Sequence, residues 1–345
     1  MNKDVFLMLT EFCPNRCDYC YIKNRHIHET MSMDTVDQIM IEYKPYRVIF
    51  FGGEPLVEID LIEKILAKYH NVCKFQIVTS GLVNYEKFIL DINSKYPLNE
   101  IQISWDGVNN NSRLSVDGFN RQDEVYQKIL WTIDQGVKFD VKCVLNDLNI
   151  HNMYKTCQEF NRLALKGVSG EFVIAHKENF TEKFFIEFEK QLLLCLELKE
   201  HMSMEFLNKI MMIICKDTNV KSCDAGHYYV FRPNGELSYC TILSQYSSYN
   251  ISEEDLENRC NHFDCQNCEI AFMCDGGCRY ERIITYGDKW KDNYCLHTCR
   301  INKIYYKVII NWLNNMTIQE RLNFNNLLLR YDKFTKLYKG GVINE

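Results

Sequence analysis

The sequence predicts an α/β fold, and three observations support that prediction. Over the first 180 residues, short apolar runs alternate with amphipathic stretches, the runs are rich in Val, Ile and Phe, and turn residues bound them. Strands and helices that alternate in this way form a parallel sheet with helical crossovers. Six such units are enough for a partial (β/α)6 barrel similar to the TIM barrel, whereas a closed barrel needs eight.

The individual elements follow from local patterns. Apolar runs of strand length lie at Val5–Thr10, Arg47–Phe51, Phe75–Thr79, Ile101–Trp105, Phe139–Leu145 and Glu171–Ala175. Helical periodicity lies between them, at 34–44, 58–70, 84–95, 120–136 and 151–166. Ser32 or Asp34 is placed to cap the first of these helices.

The pattern changes along the chain and predicts three segments. Residues 1–216 hold the barrel and end in two helices, residues 217–300 are cysteine-dense and polar, and residues 301–345 return to helical periodicity. The middle segment has too few periodic apolar residues for an ordinary core, so we expect it to fold around metal. The last segment has one apolar face, formed by Ile304, Val308, Ile309 and Trp312.

Composition disfavours several classes of protein. The net charge of −6 argues against a dedicated nucleic-acid surface, since such domains are usually basic. No apolar stretch approaches the roughly 18 residues that span a bilayer. No signal peptide with a cleavage site is visible. We therefore expect a cytoplasmic protein that binds neither nucleic acid nor membrane.

The 17 cysteines are the unusual feature of the chain. Because the cytosol keeps thiols reduced, clustered cysteines favour metal binding over disulfides. Four cysteines lie singly within apolar patterns and are expected to be buried thiols: Cys73, Cys143, Cys157 and Cys195. Most of the others fall in tight clusters.

The first cluster follows the first predicted strand, in the segment CPNRCDYC. Cys13, Cys17 and Cys20 would give three thiolates to a [4Fe–4S] cluster, which normally takes four, so one iron would stay open to a small molecule. A structural zinc site completed by His26 or His28 is one alternative. A redox pair formed by Cys17 and Cys20 is another.

CPNRCDYC resembles the CxxxCxxC signature of radical S-adenosylmethionine (radical SAM) enzymes, and the resemblance implies that Tyr19 lies beside the adenine of S-adenosylmethionine (SAM). FFGGEPL, at the end of the second predicted strand, is similar to the GGE motif of that family. This similarity implies that Gly52, Gly53 and Glu54 bind the SAM amino group. Two glycines would let the backbone approach the ligand closely, and a carboxylate suits an ammonium group.

Two further strand ends resemble motifs of the same family. VTSGL is similar to a segment that usually reads TNG, which implies SAM contacts from Thr79 and from Ser80, the residue that replaces the Asn. ISWDG resembles a segment that reaches the SAM ribose or carboxylate, which implies Ser104 and Asp106. All these motifs follow predicted strands, where parallel barrels keep their active sites. Lys142 is the candidate cation for the SAM carboxylate.

A second set of cysteines has more specific spacing. Cys223 and Cys240 lie on either side of Gly235, CQNCEIAFMCDGGC follows, and Cys295 comes after a short gap. This order of seven cysteines resembles the SPASM domain, which binds two auxiliary [4Fe–4S] clusters. The resemblance implies that the first auxiliary cluster takes Cys223, Cys240 and Cys278, and that the second takes Cys265, Cys268, Cys274 and Cys295.

The first auxiliary cluster would then have three protein ligands and a fourth position that is open or filled by another residue. Cys215 and Cys260 are candidates for that position, and Tyr229 is a weaker one. Cys299 and His297 lie outside the pattern and are expected at the surface or in packing. Because CxxC pairs also build zinc ribbons, two zinc sites are the alternative for this segment.

The resemblance implies a radical SAM oxidoreductase with three [4Fe–4S] clusters and SAM. Such an enzyme cleaves SAM reductively to a 5′-deoxyadenosyl radical, which takes a hydrogen atom from a peptide or protein and so leads to a crosslink or an oxidation. Its expected partners are that substrate and an electron donor such as flavodoxin or ferredoxin. The chain begins near its first barrel strand, so we expect any leader peptide to be recognised by a separate protein or another surface.

Three alternatives stay open. One is a radical SAM enzyme that acts on a small molecule. Another is formylglycine formation of the sulfatase-maturing type, which Thr241 disfavours because those relatives often have Asp directly after the second SPASM cysteine. The third is a non-catalytic iron–sulfur or zinc protein.

Overall fold

The structure is a computed structural model of the 345-residue chain. It describes residues 3–176, 180–198, 204–215, 225–246, 252, 254–255, 262–274 and 276–324. The predicted ligands Cys223 and Cys260 lie outside these residues. Cys215 lies in a described helix, but its side chain is not described.

An eight-stranded sheet organises this part of the chain. Its strands are β1 (Asp4–Met8), β3 (Arg47–Phe51), β4 (Lys74–Thr79), β5 (Glu100–Ser104), β7 (Asp140–Leu145), β8 (Ser169–Ile174), β9 (Tyr228–Phe231) and β10 (Leu237–Ser238). Their order is β10-β9-β1-β3-β4-β5-β7-β8, and only β9 and β10 pair in an antiparallel sense. All six predicted strands are present and parallel, which confirms the α/β class.

Helices connect the strands and continue beyond them. They are α1 (Met33–Tyr43), α2 (Ile59–Tyr69), α3 (Tyr85–Lys87, continued as a π-helix over Phe88–Asn93), α4 (Gln122–Asp134), α5 (Met153–Ala164), α6 (Glu182–Glu197), α7 (Met204–Cys215), α8 (Phe263–Gln266), α9 (Ala271–Cys274), α10 (Arg279–Tyr286) and α11 (Leu296–Asn314). Short 3₁₀ helices cover Pro55–Glu58, Ile150–Asn152, Leu243–Gln245 and Gly287–Asp292. Across the described ranges, no helix combines the length and the apolar character needed to cross a bilayer.

Local sequence explains how the first helix begins. Ser32 caps α1, as predicted: its hydroxyl oxygen accepts a hydrogen bond from the Thr35 backbone amide at 3.0 Å. That bond satisfies one of the amide groups that have no partner in the first turn of a helix. The buried face of α1, formed by Val36, Ile39 and Met40, then packs into the core.

The main core lies between the sheet and its covering helices. Strand residues such as Val5, Ile77 and Val141 are fully buried there. Burying each such side chain contributes about 1.5–3 kcal/mol to folding. Three of the lone cysteines also lie in this core, as expected: Cys143, Cys157 and Cys195.

The cysteine-rich segment continues the barrel sheet. β9 pairs in parallel with β1, with Tyr229 opposite Val5, and β10 then adds the edge strand. The sequence analysis did not predict these two strands because they are only four and two residues long. The pairing places Arg232, which follows β9, next to Glu11, which follows β1: Arg232 Nη2 lies 2.9 Å from Glu11 Oε1.

Helix α11 covers two of the helices that pack on the barrel. α11 packs on α6 and α7 and buries Ile304, Val308, Ile309 and Trp312, the apolar face that the sequence predicted. The helix begins at Leu296, five residues earlier than predicted, so it follows Cys295 directly.

Candidate cofactor and cluster sites

The first cysteine cluster forms a loop after β1 that is fixed by backbone pairing. Within it, β2 (Asn15–Cys17) pairs with β6 (Arg113–Ser115) as an antiparallel ribbon, so that Cys17 lies opposite Arg113. The Cys13 amide donates to the Arg25 carbonyl at 3.1 Å, and the Cys20 amide donates to the Cys17 carbonyl at 3.2 Å. The positions of all three cysteines are therefore set by backbone hydrogen bonds.

Burial dominates the chemistry of these thiols. It raises the pKa of Cys13 to about 12, with smaller contributions from nearby Glu54 and from the other two thiols. Burial also raises the pKa of Cys17, against the opposing effect of Arg113. The Asn15 backbone amide donates to the Cys13 sulfur at 3.4 Å. Such thiols stay protonated until a metal displaces the proton.

The loop fits the [4Fe–4S] cluster that the sequence implies. Its donor set is sulfur only, its three thiols interact electrostatically, and one amide already points at a sulfur. Hydrogen bonds to sulfur are among the contacts that tune such clusters. Over the described ranges, no three His, Cys, Asp or Glu side chains converge closely enough to hold a single metal ion.

Glu54 is buried where β3 and β4 end. Its carboxylate accepts hydrogen bonds from the Thr79 hydroxyl at 2.7 Å, the Ser80 amide at 2.8 Å and the Leu56 amide at 3.2 Å, and also from the Ser80 hydroxyl. Only 1% of the residue is exposed. The predicted SAM residues of the second and third strands are therefore in direct contact with each other.

The two glycines before Glu54 lie against protein backbone. A Cβ on Gly52 would lie 2.5 Å from the Thr10 carbonyl oxygen, and a Cβ on Gly53 would lie 2.0 Å from that of Phe12. The Gly53 and Glu54 amides donate to these same two oxygens, each at 2.9 Å. The segment that leads to Cys13 is thus the close neighbour of Gly52 and Gly53 in the structure. The contact of these two glycines with SAM stays a prediction.

Asp106 follows β5 and joins Tyr19 to Arg113. The Tyr19 hydroxyl donates to Asp106 Oδ2 at 2.6 Å and accepts from Arg113 Nη2, also at 2.6 Å. Arg113 Nε lies 3.4 Å from the same carboxylate oxygen. Burial raises the pKa of Tyr19 well above its ordinary value, so its hydroxyl keeps its proton and can donate. The three side chains form one buried network beside Cys17.

Arg113 is the site residue that the sequence interpretation missed. It is 8% exposed and interacts electrostatically with Cys17. The predicted cation, Lys142, instead lies 3.2 Å from the Glu171 carboxylate, and its partner across the sheet is the half-buried Ser104. Arg113 gave little signal because it lies in a polar segment without periodicity. Its short distance in sequence from ISWDG is what could have identified it.

A cavity of about 460 Å³ lies between the end of β8 and the cysteine-rich segment. Two predicted auxiliary ligands, Cys240 and Cys278, line it together with Thr241. Its other polar lining residues include Lys142, His176, Lys209, Glu281, His297 and Asn302. The cavity therefore offers thiols, charged groups and a site for a sizeable ligand in one enclosure.

Tyr21 connects the two cysteine sets. Burial raises the pKa of its hydroxyl, and the charges of Cys20 and Cys240 act in the same direction. One tyrosine is thus within electrostatic range of a predicted SAM-cluster ligand and of a predicted auxiliary ligand. This neighbourhood follows from the pairing of β9 with β1.

The remaining cysteines gather near the start of α11. Cys295 is 1% exposed and its sulfur accepts a hydrogen bond from the Cys278 amide at 3.1 Å. Burial raises the pKa of Cys274 to about 11, and Cys268 and Cys299 contribute. Cys299, expected in packing or at the surface, therefore lies among predicted ligands. Cys265 is half-buried at the short helix α8.

The chain is similar to known proteins in sequence and in structure. Residues 7–160 match the model of the Radical SAM superfamily. The structure of anSMEcpe with bound AdoMet resembles this one with a TM-score of 0.69 and 17% identity, over 91% of this chain and 100% of that chain. The structure of anSMEcpe with bound AdoMet and the Cp18Cys peptide resembles this one with a TM-score of 0.68 and 17% identity, over 91% of this chain and 99% of that chain.

A second protein has a similar structure. Streptococcus suis SuiB bound to the precursor peptide SuiA gives a TM-score of 0.62 and 14% identity, over 86% of this chain and 75% of that chain. No curated protein sequence matches the chain. At these identities the likeness establishes the fold.

The parallel strands of the sheet carry three features at their ends: a three-thiol loop, Glu54 and the Asp106–Arg113 pair. Together these features define an α/β cofactor-binding domain. Residues 7–160, which match the Radical SAM superfamily, form a radical SAM domain. This family uses a [4Fe–4S] cluster and SAM.

Proposed function

We propose that this chain modifies a peptide or protein by removing hydrogen from it, with SAM as the source of the radical and two auxiliary clusters beside the substrate. The observation that carries the proposal is the position of the cavity. It is lined by Cys240 and Cys278, and Cys240 interacts electrostatically with Tyr21, the residue that follows Cys20 of the thiol loop. A substrate in this cavity would lie between a SAM site and a set of further thiols.

Cys13, Cys17 and Cys20 would hold the cluster that binds SAM. When bound, the cluster and SAM together supply a 5′-deoxyadenosyl radical that takes a hydrogen atom from the substrate. Glu54, oriented by Thr79 and Ser80, would receive the SAM ammonium group.

Arg113 and Tyr19 would orient the other end of SAM. Arg113 offers a buried cation that suits the SAM carboxylate, and it already holds Asp106. The Tyr19 ring is fixed by its hydroxyl between Asp106 and Arg113, so it can present a face to the adenine. Arg113 and Asp106 are almost fully buried, which would limit the access of water to this end of the site.

The cysteine-rich segment would bind the two auxiliary clusters of a SPASM domain. Cys240 and Cys278, with Cys223, are the proposed ligands of the first, and Cys265, Cys268, Cys274 and Cys295 are those of the second. The amide of Cys278 that donates to the Cys295 sulfur supports this assignment, because it is the kind of contact that stabilises a metal-bound thiolate.

A peptide substrate is supported by the cavity and by the similar structures. The cavity combines apolar walls, such as Phe172 and Ile301, with charged groups, such as Lys209 and Glu281, as a side chain on a peptide backbone requires. SuiB is bound to its precursor peptide, and anSMEcpe is bound to the Cp18Cys peptide. An external electron donor must start each turnover, and flavodoxin or ferredoxin suits that role.

Deuterium transfer tests the proposal. The reduced, iron-loaded enzyme would be incubated with SAM and with deuterated peptides encoded by short reading frames near its gene. We expect deuterium in the 5′-deoxyadenosine. We also expect the product peptide to have lost two hydrogen atoms, which corresponds to about 2 Da in an unlabelled peptide. The Cys13→Ala variant is the control and should give neither product.

Two results would contradict the proposal. If 5′-deoxyadenosine forms but takes deuterium from a small molecule and from no peptide, the substrate class is wrong. If the purified chain binds zinc and forms no 5′-deoxyadenosine, the radical chemistry is wrong as well.

A further inference from the structure

A buried series of polar side chains leads from the cavity wall to a ligand of the second proposed auxiliary cluster. The Lys209 ammonium donates a hydrogen bond to Asn302 Oδ1 at 3.2 Å. The Asn302 side chain also forms a hydrogen bond with the Cys274 thiol. Lys209 and Asn302 line the cavity, and Cys274 is one of the four thiols proposed to hold that cluster. The series therefore joins the cavity to a cluster ligand.

Three helices bring these side chains together. Lys209 lies on α7, Asn302 lies on α11, and Cys274 is the last residue of α9. Each of these helices contacts the other two. No more than 9% of any of the three residues is exposed. Because little water reaches them, the hydrogen bonds between them are stronger than they would be at the surface.

Lys209 fixes which end of the Asn302 amide faces the sulfur. An asparagine side chain carries an acceptor oxygen and a donor NH₂ group, whereas an ammonium group can only donate. The oxygen is therefore held toward Lys209, and the NH₂ group is left to donate to Cys274. Burial raises the pKa of the Cys274 thiol to about 11, and the Asn302 hydrogen bond and the Lys209 charge oppose this effect. That sign is expected of a donor to a thiolate.

The surroundings of Cys274 fit a cluster that is held by thiolates. Cys274 is within electrostatic range of Cys268 and of Cys295. A Cβ on Gly277 would collide with the Cys295 sulfur, so a glycine at this position leaves room for that thiol. The Cys268 amide donates to the Cys265 carbonyl at 3.4 Å, which fixes the fourth cysteine in a turn. A donor set of four thiols suits a [4Fe–4S] cluster.

We infer that Asn302, oriented by Lys209, raises the reduction potential of the auxiliary cluster that Cys274 helps to hold. The inference rests on the proposed function, since it requires that cluster. Reduction adds negative charge to the cluster and its sulfurs, so a hydrogen bond to a ligand sulfur stabilises the reduced state. Asn302 would supply this bond, and Lys209 would keep its amide in the donating orientation. Since both residues line the cavity, the substrate and the cluster would lie on two sides of the same pair.

Redox titration followed by electron paramagnetic resonance tests the inference. Full-length parent and variant proteins would be loaded with iron and sulfide under anaerobic conditions. Asn302→Asp keeps the shape of the side chain and can pair with Lys209, but it lacks the NH₂ donor. We expect it to shift the reduction equilibrium of one cluster about tenfold toward the oxidised state, which is a fall of about 59 mV. Asn311→Asp, at an exposed position of α11, is the matched control and should leave the potentials unchanged.

Variants of Lys209 test the orienting role separately. Lys209→Met removes the donor, so the Asn302 amide is free to turn and the same potential should fall. Lys209→Arg keeps a donor for Asn302 Oδ1 and should stay close to the parent. Lys307→Met, which loses a surface pair with Glu189, is the control. Cys274→Ala identifies the cluster, because the reduction step that shifts in Asn302→Asp should be absent from it.

The outcomes separate the inference from the proposed function. If the parent carries about twelve irons per chain and Asn302→Asp shifts no potential, or shifts a step that Cys274→Ala retains, the role of Asn302 is refuted while the auxiliary clusters stand. If Asn302→Asp takes up no iron, equal potentials in Lys209→Met and the parent refute that role in the same way. A parent protein with only about four irons per chain would lack the auxiliary clusters, so both the inference and that part of the proposed function would fail.

Discussion

The Glu54 carboxylate accepts a hydrogen bond from the backbone amide of Ser80 at 2.8 Å, and this contact joins the ends of two neighbouring barrel strands. Ser80 also donates from its hydroxyl, and Thr79 donates to the second carboxylate oxygen. A residue that replaces the usual Asn of its motif thus has a clear structural role. It holds in place the acid that we propose as the partner of the SAM ammonium group.

Glu54→Gln should weaken both folding and SAM cleavage. The amide NH₂ of Gln would face donors from Thr79, Ser80 or Leu56, so at least one buried donor would lose its acceptor. We expect a loss of about 1–3 kcal/mol in the free energy of unfolding and little 5′-deoxyadenosine. Urea unfolding and product chromatography measure the two effects.

Glu63→Gln is the matched control for that change, because Glu63 is half-exposed and lies 3.8 Å from Lys95 at the surface. It should alter stability by less than about 0.5 kcal/mol. Equal losses of unfolding free energy in Glu54→Gln and Glu63→Gln would show that the hydrogen bonds of Glu54 do not stabilise the fold more than a surface contact does.

Arg113→Met should destabilise the fold strongly. The change removes the cation next to the buried Asp106 and leaves the Tyr19 hydroxyl with one partner fewer. Loss of one member of a buried ion pair costs about 3–5 kcal/mol. In Arg121→Met, the control, the lost contacts are surface pairs with Asp117 and Glu124, worth at most about 1 kcal/mol.

Urea unfolding of the two arginine variants gives the comparison. Arg113→Lys adds a second test, since it keeps the charge but lacks the planar guanidinium. We expect it to fold yet bind SAM more weakly. If Arg113→Met is as stable as Arg121→Met, the buried network around Asp106 does not support the cysteine loop as described.

Asp140 should make the fold more stable in mild acid. Burial and the charges of Glu100 and Glu171 raise its pKa from 3.8 to about 6, although Lys142 opposes them. The folded chain therefore binds this proton more tightly than the unfolded chain. As a result, the contribution of Asp140 to stability falls as the pH rises from about 4 to about 6.

Asp140→Asn should remove that dependence. At about pH 7 the variant should be more stable than the parent by about 1–3 kcal/mol, and at about pH 4 the difference should vanish. The exposed Asp134→Asn is the control. The free energy of unfolding, measured across this pH range, tests the effect. If it changes with pH in the same way in Asp140→Asn and in Asp134→Asn, the prediction is wrong.

Cys295→Ala should release the second auxiliary cluster. The Cys295 sulfur is buried and accepts the Cys278 amide, whereas Cys299 is half-buried and lies one helical turn further along α11. We expect a loss of about four irons per chain from Cys295→Ala and none from Cys299→Ala. The iron content of the two purified variants measures this. If Cys299→Ala loses iron and Cys295→Ala does not, the ligand position belongs to Cys299, which lies near Cys268.

Much of the barrel could be predicted from the sequence because its strands are strongly patterned. Arg47–Phe51 was predicted to the residue, and Ser32 caps the first helix as expected. The thiol loop was recognisable because its three cysteines are close in sequence. These features depend on neighbouring residues, which a single sequence displays directly.

The missed features depend on contacts between distant residues. Arg113 reaches Tyr19 across 94 positions, and His176 reaches Cys278 across 102. β9 joins β1 although Tyr228 lies 224 positions after Asp4, its partner across the sheet. Gly53 makes room for the Phe12 carbonyl, a neighbour that local spacing does not reveal, and its approach to SAM stays a prediction.

The most direct test of the account is formation of 5′-deoxyadenosine by the anaerobically purified chain with SAM and a reductant. The parent protein should be brown and should form 5′-deoxyadenosine. Cys13→Ala should form none, yet retain about eight irons per chain. A colourless protein that contains zinc and leaves SAM intact would contradict the account.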